Sequence, residues 1–280
     1  MITSHQTFRI LQYHAHATTF TPEAPPKAVA VLIHGQGDFS SRYDEVAHIF
    51  TQNGVAIIGI DLPGHGHTSG PRGDIPNIET ATAFIAHAYQ TISDQFPGLP
   101  IGLLAHSMGG QLALRELLFS DRRYQFCWLN APLINPRHNK HPLELWTLQR
   151  LISLCPTLNV STGVKRKLCR RPASPTQKIN PLFHKRISLR WGQELIDSAE
   201  QVRTQAPLHR LETPVLITQG DLDTVTPAAF AQGLISSVDW PHLEFALLPD
   251  ALHEPFRDIS QESCLSIIQH WLQPVLADLS

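Results

Sequence analysis

Short apolar runs separated by helical patterns limit the possible folds more than any other feature of this sequence. Because the runs are apolar on both faces, they predict central strands of a mostly parallel sheet. They occupy residues 28–33, 55–60, 101–105, 126–129, 215–218 and 243–248. Helical patterns occupy residues 80–96, 108–119, 227–236 and 260–276. Strands that alternate with helices in this way predict an α/β fold, with helices flanking the sheet.

One further helix, between the first two apolar runs, is predicted from its end signals. Ser41 is positioned to cap it, and Asp44 and Glu45 place negative charge in its first turn. Asn53 and Gly54 mark its end. The helix therefore completes the alternation of strand and helix in this part of the chain.

The alternation breaks between residues 131 and 210. This stretch contains eight prolines and no convincing central strand. A helical pattern at 143–154 has a broad apolar face that includes Trp146, Leu148 and Ile152. We expect a core domain made of residues 1–130 and 211–280, and a cap insertion of residues 131–210 over the carboxyl edge of the sheet, where open α/β sheets bind ligands.

Charge is distributed unevenly between these two parts. Residues 131–210 contain 14 Lys and Arg against 4 Asp and Glu, a net charge of +10 in a chain whose total is −2, so the remainder carries −12. A basic cap can attract an anionic membrane surface or an anionic substrate, and a solvated basic face is the alternative. The segment KRKLCRR at 165–171 lacks the interleaved aromatic residues of a single-strand nucleic-acid groove, so no nucleic-acid partner is expected.

Other sequence features narrow the class of protein. The first ten residues lack the basic start and apolar block of a signal peptide, and the longest apolar runs are far shorter than the roughly 20 residues that span a membrane. Four cysteines, Cys127, Cys155, Cys169 and Cys264, have no metal-like spacing. We expect a cytoplasmic protein with reduced thiols and no metal, because its paired histidines have no further ligand at a suitable interval.

A serine interrupts the apolar stretch LLAHSMGGQLAL at 103–114. Ser107 lies between a predicted strand and a predicted helix, which is the context of a nucleophile elbow. In that tight turn the positions two before and two after the serine must be small, and here they are Ala105 and Gly109. The Met108 N–H, at the start of the helix, would point to the place where an oxyanion forms.

A nucleophilic serine needs a base and an acid that orients the base. In this architecture the acid and then the histidine follow late strands. GDLDTVTP, after the strand at 215–218, provides Asp223, with Asp221 as the rival and turn-forming residue. PDALHEPF, after the strand at 243–248, provides His253, whereas Asp250 is a weaker candidate for the acid because it lies in the histidine's own loop.

A second oxyanion donor is expected after the strand at 28–33. The sequence there is HGQGDFSSRY, and the Gln36 N–H is the candidate, with flexible glycines on both sides. We expect His34 to have a structural hydrogen-bonding role. The histidines of DLPGHGHTSG, His65 and His67, are expected in a loop near the mouth of the site.

These residues together resemble the α/β-hydrolase fold and, within it, the monoacylglycerol lipase and lysophospholipase group. The likeness is carried by HGQGDFSSRYDEVA, GIDLPGHGHTSGPRG, LLAHSMGG, GDLDTVTP and ALHEPF, which cover nearly the whole chain outside the insertion. The Arg42–Tyr43 pair is more specific to this group than the elbow is. Ala105 in place of the common glycine, and the bulky Gln36, depart from the pattern.

The resemblance implies Ser107, Asp223 and His253 as the catalytic triad and Gln36 with Met108 as the oxyanion donors. It implies hydrolysis of a monoacylglycerol or lysophospholipid ester through an acyl-enzyme, without a cofactor. A short-chain esterase, thioesterase or peptidase would use the same residues, and a low-turnover ligand receptor is a further alternative. The apolar face of the cap, with Trp146, Leu148 and Ile152, is expected either to line an acyl pocket or to pack on the core. The sequence does not determine the oligomeric state.

Overall fold

A central sheet of eight strands organises the protein, as seen in a computed structural model that describes residues 1–137, 150–171 and 180–279. The strands are β1 (Ile2–Ile10), β2 (Tyr13–Thr21), β3 (Ala28–Ile33), β4 (Val55–Ile60), β5 (Ile101–His106), β6 (Phe126–Asn130), β9 (Val215–Gly220) and β10 (Leu243–Leu248). Two short strands, β7 (Asn159–Ser161) and β8 (Arg186–Ser188), pair separately as a small antiparallel sheet. All six predicted strands are therefore present.

The strand order is β1-β2-β4-β3-β5-β6-β9-β10, and pairing is parallel from β4 to β10. The strands β1 and β2 form an antiparallel hairpin beside β4 and were not predicted. Polar residues such as His14, Thr18 and Thr19 interrupt this hairpin, so it has no apolar run to identify it. The prediction that residues 243–248 form a central strand is wrong, because β10 is an edge strand and is largely half-exposed.

Helices cover both faces of the sheet and enclose two apolar clusters. They are α1 (Asp44–Gln52), α2 (Ile78–Gln95), α3 (Met108–Phe119), α4 (Arg166–Cys169), α5 (Leu189–Gln205), α6 (Ala228–Ile235) and α7 (Gln261–Asp278). The predicted Ser41 cap is wrong: Ser41 lies in a 3₁₀ turn, and Tyr43 precedes α1 without a side-chain capping bond. The predicted acidic first turn and the end before Asn53 are both confirmed.

The predicted cap region supplies the β7–β8 sheet, α4 and α5. Residues 150–154 are helical, and the rest of the pattern at 143–154 lies outside the described residues. The helix α5 was not predicted, because its apolar residues are mixed with charges. It packs on α3, where the Gln111 side chain donates to the Leu195 carbonyl at 2.7 Å, and it buries Trp191 and Leu195 in the main core. The division at residues 131 and 210 into core and cap stays a prediction.

Candidate active site

Ser107 lies at the sharp turn between β5 and α3. Its φ of 54° is in the left-handed region, which in a non-glycine residue costs on the order of 1–3 kcal/mol. A Cβ on Gly109 would lie 2.2 Å from the Ile33 carbonyl oxygen, so this position accepts no side chain. The Ser107 N–H donates to the Asn130 carbonyl at 2.9 Å, which ties the turn to β6. The strained turn holds the Ser107 hydroxyl at the carboxyl edge of the sheet.

The structure brings Ser107, His253 and Asp223 together from three separate loops. His253 Nε2 lies 2.9 Å from Ser107 Oγ, and His253 Nδ1 lies 2.7 Å from Asp223 Oδ2. Because the ionised Asp223 can only accept, Nδ1 carries the imidazole proton and Nε2 is left to accept from the serine hydroxyl. This chain of hydrogen bonds can remove the serine proton during nucleophilic attack.

Asp223 is held ionised by its surroundings. Burial opposes its charge, but His253 and the hydrogen bonds from Thr226 outweigh burial and lower the pKa of Asp223. Its oxygens accept from the Val225 N–H at 2.8 Å, the Thr226 N–H at 3.0 Å and the Gln219 side chain at 2.8 Å. Sequence reasoning did not find Gln219 or Thr226, since an amide and a hydroxyl near a turn carry no specific signal.

His253 is buried, and burial by itself disfavours its charged form. The negative charge of Asp223, with smaller contributions from Glu254 and Asp38, outweighs burial and raises the pKa of His253. His106 packs against it with ring centroids 4.7 Å apart. Burial, and then repulsion from His253, lowers the pKa of His106 to about 3, so His106 stays neutral beside the imidazolium that forms during catalysis.

The rival acids do not contact the imidazole. Asp221 is exposed, and its side chain accepts from the Ala251 N–H at 3.2 Å, as expected of a turn residue. Asp250 is exposed too, with a left-handed φ of 56° in its own turn. Distance therefore favours Asp223 over both.

Gln36 and Met108 contact the same cavity as Ser107. Met108 is the first residue of α3, so its N–H has no acceptor within the helix. The Gln36 side chain is fixed at both ends: it donates to the Arg186 carbonyl at 2.8 Å and accepts from the Trp191 indole at 3.0 Å. The bulky glutamine thus connects the loop after β3 to β8 and α5.

A buried polar cluster that sequence reasoning missed lies behind these loops. Arg42 pairs with Asp38 at 2.9 Å and with Glu254 at 2.5 Å, and the Tyr43 hydroxyl donates to Asp38 at 3.0 Å while accepting from the Gly35 N–H. The Arg42–Tyr43 pair, noted in the sequence only as a marker of resemblance, therefore joins the loop after β3 to the loop that carries His253.

The remaining histidines of the motifs are structural. The His34 Nε2 accepts from the Leu62 N–H at 3.0 Å and its Nδ1 donates to the Gly35 carbonyl at 2.8 Å. His65 lies in the predicted loop and is fully buried between the rings of His34 and His184, and its place near the mouth of the site stays a prediction. His67 is exposed.

Two cavities formed by the described residues reach Ser107. The larger, of about 520 Å³, has Ser107 and Met108 at one end and is walled mainly by apolar side chains, among them Leu133, Ile152, Val160, Leu168, Ile187, Leu195 and Ile196. The smaller, of about 60 Å³, contacts Asp38, His106, His253 and Glu254. Of the three predicted pocket residues, Ile152 lines the larger cavity, and Trp146 and Leu148 lie outside the described residues. Both cavities thus meet at one nucleophile.

A mostly parallel sheet, a serine elbow and a histidine–carboxylate pair after the last two strands define an α/β-hydrolase. The family model described as "Serine aminopeptidase, S33" matches residues 24–260, and the chain belongs to this family. The described residues include no group of histidine, cysteine and acidic side chains that could hold a metal ion and no helix able to cross a membrane.

Known proteins resemble this chain over most of its length. The monoacylglycerol lipase of Mycolicibacterium smegmatis is 25% identical over 90% of each chain. An abhydrolase domain-containing protein of Dictyostelium discoideum is 29% identical over 91% of this chain, which spans only 27% of that protein. The crystal structure of Paleococcus ferrophilus monoacylglycerol lipase superposes with a TM-score of 0.83, at 24% identity, over 94% of this chain and 99% of that one. Together with the family, these relatives identify a carboxylic ester hydrolase that resembles monoacylglycerol lipases.

Proposed function

We propose that the protein hydrolyses the ester of a single-chain lipid, first of all a monoacylglycerol, through an acyl-enzyme on Ser107. The observation that carries this proposal is the serine–histidine contact of 2.9 Å at the end of an apolar cavity of about 520 Å³. Pockets of this size and lining bind ligands with long apolar parts. The monoacylglycerol lipases among the relatives support the same substrate class.

In the proposed reaction Ser107 Oγ attacks the ester carbonyl while His253 takes its proton. The N–H groups of Met108 and Gln36 stabilise the oxyanion, and Asp223 stabilises the imidazolium. His253 then donates its proton to the leaving alkoxide, and the same residue activates water to release the fatty acid. Removal of one oxyanion donor from such a site lowers the rate by about 10²- to 10³-fold.

Peptide hydrolysis is a second candidate because the family model carries the description of an aminopeptidase. An aminopeptidase must bind the substrate's ammonium group, which calls for a free carboxylate near the serine. Among the described residues that line the two cavities, the carboxylates are Asp38 and Glu254, and both pair with Arg42. This pairing favours the ester over the peptide.

The proposed experiment supplies the purified protein with an equimolar mixture of a long-chain monoacylglycerol and a lysophospholipid, and identifies the released alcohol. Preferential glycerol release supports a monoacylglycerol lipase, whereas release of the phosphorylated alcohol makes the protein a lysophospholipase. Ser107→Ala is the control and must remove both activities. Equal release by Ser107→Ala and the natural protein would overturn the proposal.

We also propose that the cap contacts anionic membranes from the cytoplasm to collect the lipid. Leu154 is 77% exposed, and Lys165 and Lys167 are exposed too, so the predicted cap offers both an apolar side chain and cations to a membrane surface. Sedimentation with phosphatidylglycerol vesicles should show binding that weakens with salt. Reversing the charge of the exposed Lys165 and Lys167 should weaken it further, while Lys27→Glu, at the opposite edge of the sheet, should not. Vesicle binding that changes neither with salt nor with charge reversal at Lys165 and Lys167 would refute the proposed membrane contact.

A further inference from the structure

Gly192 occupies a helix position where the fold does not require glycine. It is the fourth residue of α5, and glycine inside a helix is less stable than alanine because it loses more backbone freedom on folding. Its φ is not in the left-handed region. Among the described residues outside the backbone of α5 itself, the atom nearest to a Cβ added to Gly192 is Ile187 Cδ1, at 3.8 Å, which is an ordinary contact distance. Neither backbone geometry nor close packing therefore explains this glycine.

The position of Gly192 supplies a different reason. Gly192 forms part of the wall of the larger cavity, the same cavity that contacts Ser107 and Met108. The same wall includes the apolar side chains of Ile187 and Ile196 as well as the adjacent Gln193. Because Ile187 is the one neighbour that the described part of the chain places within 4 Å of an added Cβ, a side chain at Gly192 has room to extend into this space.

The first turn of α5 is held firmly relative to the nucleophile. Ser188 caps the helix by accepting from the Trp191 N–H at 3.2 Å, and the Trp191 indole donates to the Gln36 side chain at 3.0 Å. Gln36 belongs to the loop after β3, and its neighbour Gly35 packs against Ser107. These bonds hold Gly192 in a fixed position relative to Ser107. The space beside Gly192 is therefore a fixed part of the cavity.

We propose that Gly192 determines acyl-chain length: the missing side chain makes room for a long, unbranched acyl group attached to Ser107 where that group passes α5. This inference rests on the proposed ester hydrolysis and adds the substrate's chain length to it. A larger residue at 192 narrows the cavity beside α5, so it excludes methylenes of a chain long enough to pass there and spares a chain too short to reach it. Each methylene excluded from apolar contact lowers binding by about fourfold.

The chain offers a matched control in Gly233. This glycine also lies inside a helix, α6, it is exposed, and a Cβ there would meet nothing within 4 Å. It does not line either cavity that reaches Ser107. Gly233→Leu thus repeats the chemical change in a helix without entering the cavity.

The experiment compares p-nitrophenyl palmitate with p-nitrophenyl butyrate, which differ in acyl length and share the leaving group. Gly192→Leu should lower kcat/KM for palmitate by at least about tenfold and for butyrate by less than about twofold, since a leucine displaces several methylenes. Gly192→Ala should retain its fold with a raised Tm and lose about two- to fourfold on palmitate alone. Gly233→Leu should change neither substrate.

Equal losses on both esters, or unchanged palmitate hydrolysis in both Gly192 variants, would overturn the proposal. A palmitate loss in Gly233→Leu would do the same. Calorimetry can also measure the affinity of free palmitate for Ser107→Ala and for the double variant Ser107→Ala with Gly192→Leu. This measurement does not depend on ester hydrolysis. If esters are not cleaved but Gly192→Leu still weakens palmitate binding, the acyl-length inference stands and the proposed hydrolysis fails.

Discussion

Replacing Asp223 with asparagine tests the assignment of the triad most directly. Asp223 Oδ2 accepts from His253, Gln219 and Thr226, and Oδ1 accepts from backbone N–H groups. If the asparagine oxygen keeps the backbone bonds, its NH₂ group faces His253 Nδ1. The imidazole must then accept at Nδ1 and carry its proton on Nε2, where it can no longer receive the Ser107 proton. Loss of the productive tautomer in such a triad lowers kcat by about 10⁴-fold.

The same substitution should also destabilise the protein. The asparagine NH₂ would face the Gln219 NH₂, which lies 2.8 Å from Asp223 Oδ2. Two donors at this distance leave at least one buried donor unpaired, at a cost of about 1–3 kcal/mol. Denaturant unfolding measures the lost unfolding free energy, and steady-state ester hydrolysis measures kcat. Asp223→Asn should lower both.

Asp221→Asn is the matched control, two residues away in the same loop. Its side chain is exposed and accepts only a 3.2 Å bond from the Ala251 N–H, among the bonds found in the described structure. We expect its kcat/KM within about twofold of the natural protein and little change in unfolding free energy. The reasoning is refuted if Asp221→Asn abolishes hydrolysis while Asp223→Asn retains it.

Three further predictions concern pH, packing and thiol chemistry. Because Asp223 raises the pKa of His253 and the base must be neutral, kcat/KM should fall as pH drops through a midpoint above 6.5; a pH-rate profile with a lower midpoint contradicts this. Gly109→Ala should lower the unfolding free energy by about 1–3 kcal/mol or more in urea melts, since its methyl would overlap the Ile33 carbonyl, whereas Gly233→Ala should raise it by about 0.5–1 kcal/mol. A thiol reagent should react quickly with one cysteine of the native protein, the exposed Cys155. The other three thiols should react slowly because burial raises their pKa values; they are Cys127, Cys169 and Cys264. Fast labelling of more than one cysteine would contradict this prediction.

Much of the fold could be predicted because its central strands are buried on both faces. Such strands contain continuous apolar runs, as at 28–33 and 101–105, and such a run is visible without a structure. The edge strands β1 and β10 are largely exposed or half-exposed, whereas β2 is mostly buried but contains the polar residues His16, Thr18 and Thr19. Their side chains carry weaker patterns, so the hairpin was missed and β10 was placed at the centre.

Local sequence by itself determined the elbow and the candidate residues around it. A serine between a strand and a helix, with small neighbours, is a constraint within a few residues, and parallel strands bring the loops after β5, β9 and β10 to one edge. The sequence favoured Asp223 over Asp221, but only the tertiary structure shows that Asp223 contacts His253 while Asp221 bonds to the Ala251 N–H, because two residues along a turn move a carboxylate by several ångströms and a hydrogen bond tolerates far less. The tertiary structure alone shows that Arg42 binds Glu254, 212 residues away, and that Gly192 lines the cavity of Ser107. Contacts between distant segments depend on the packing of the whole sheet and its helices, and no local pattern records them.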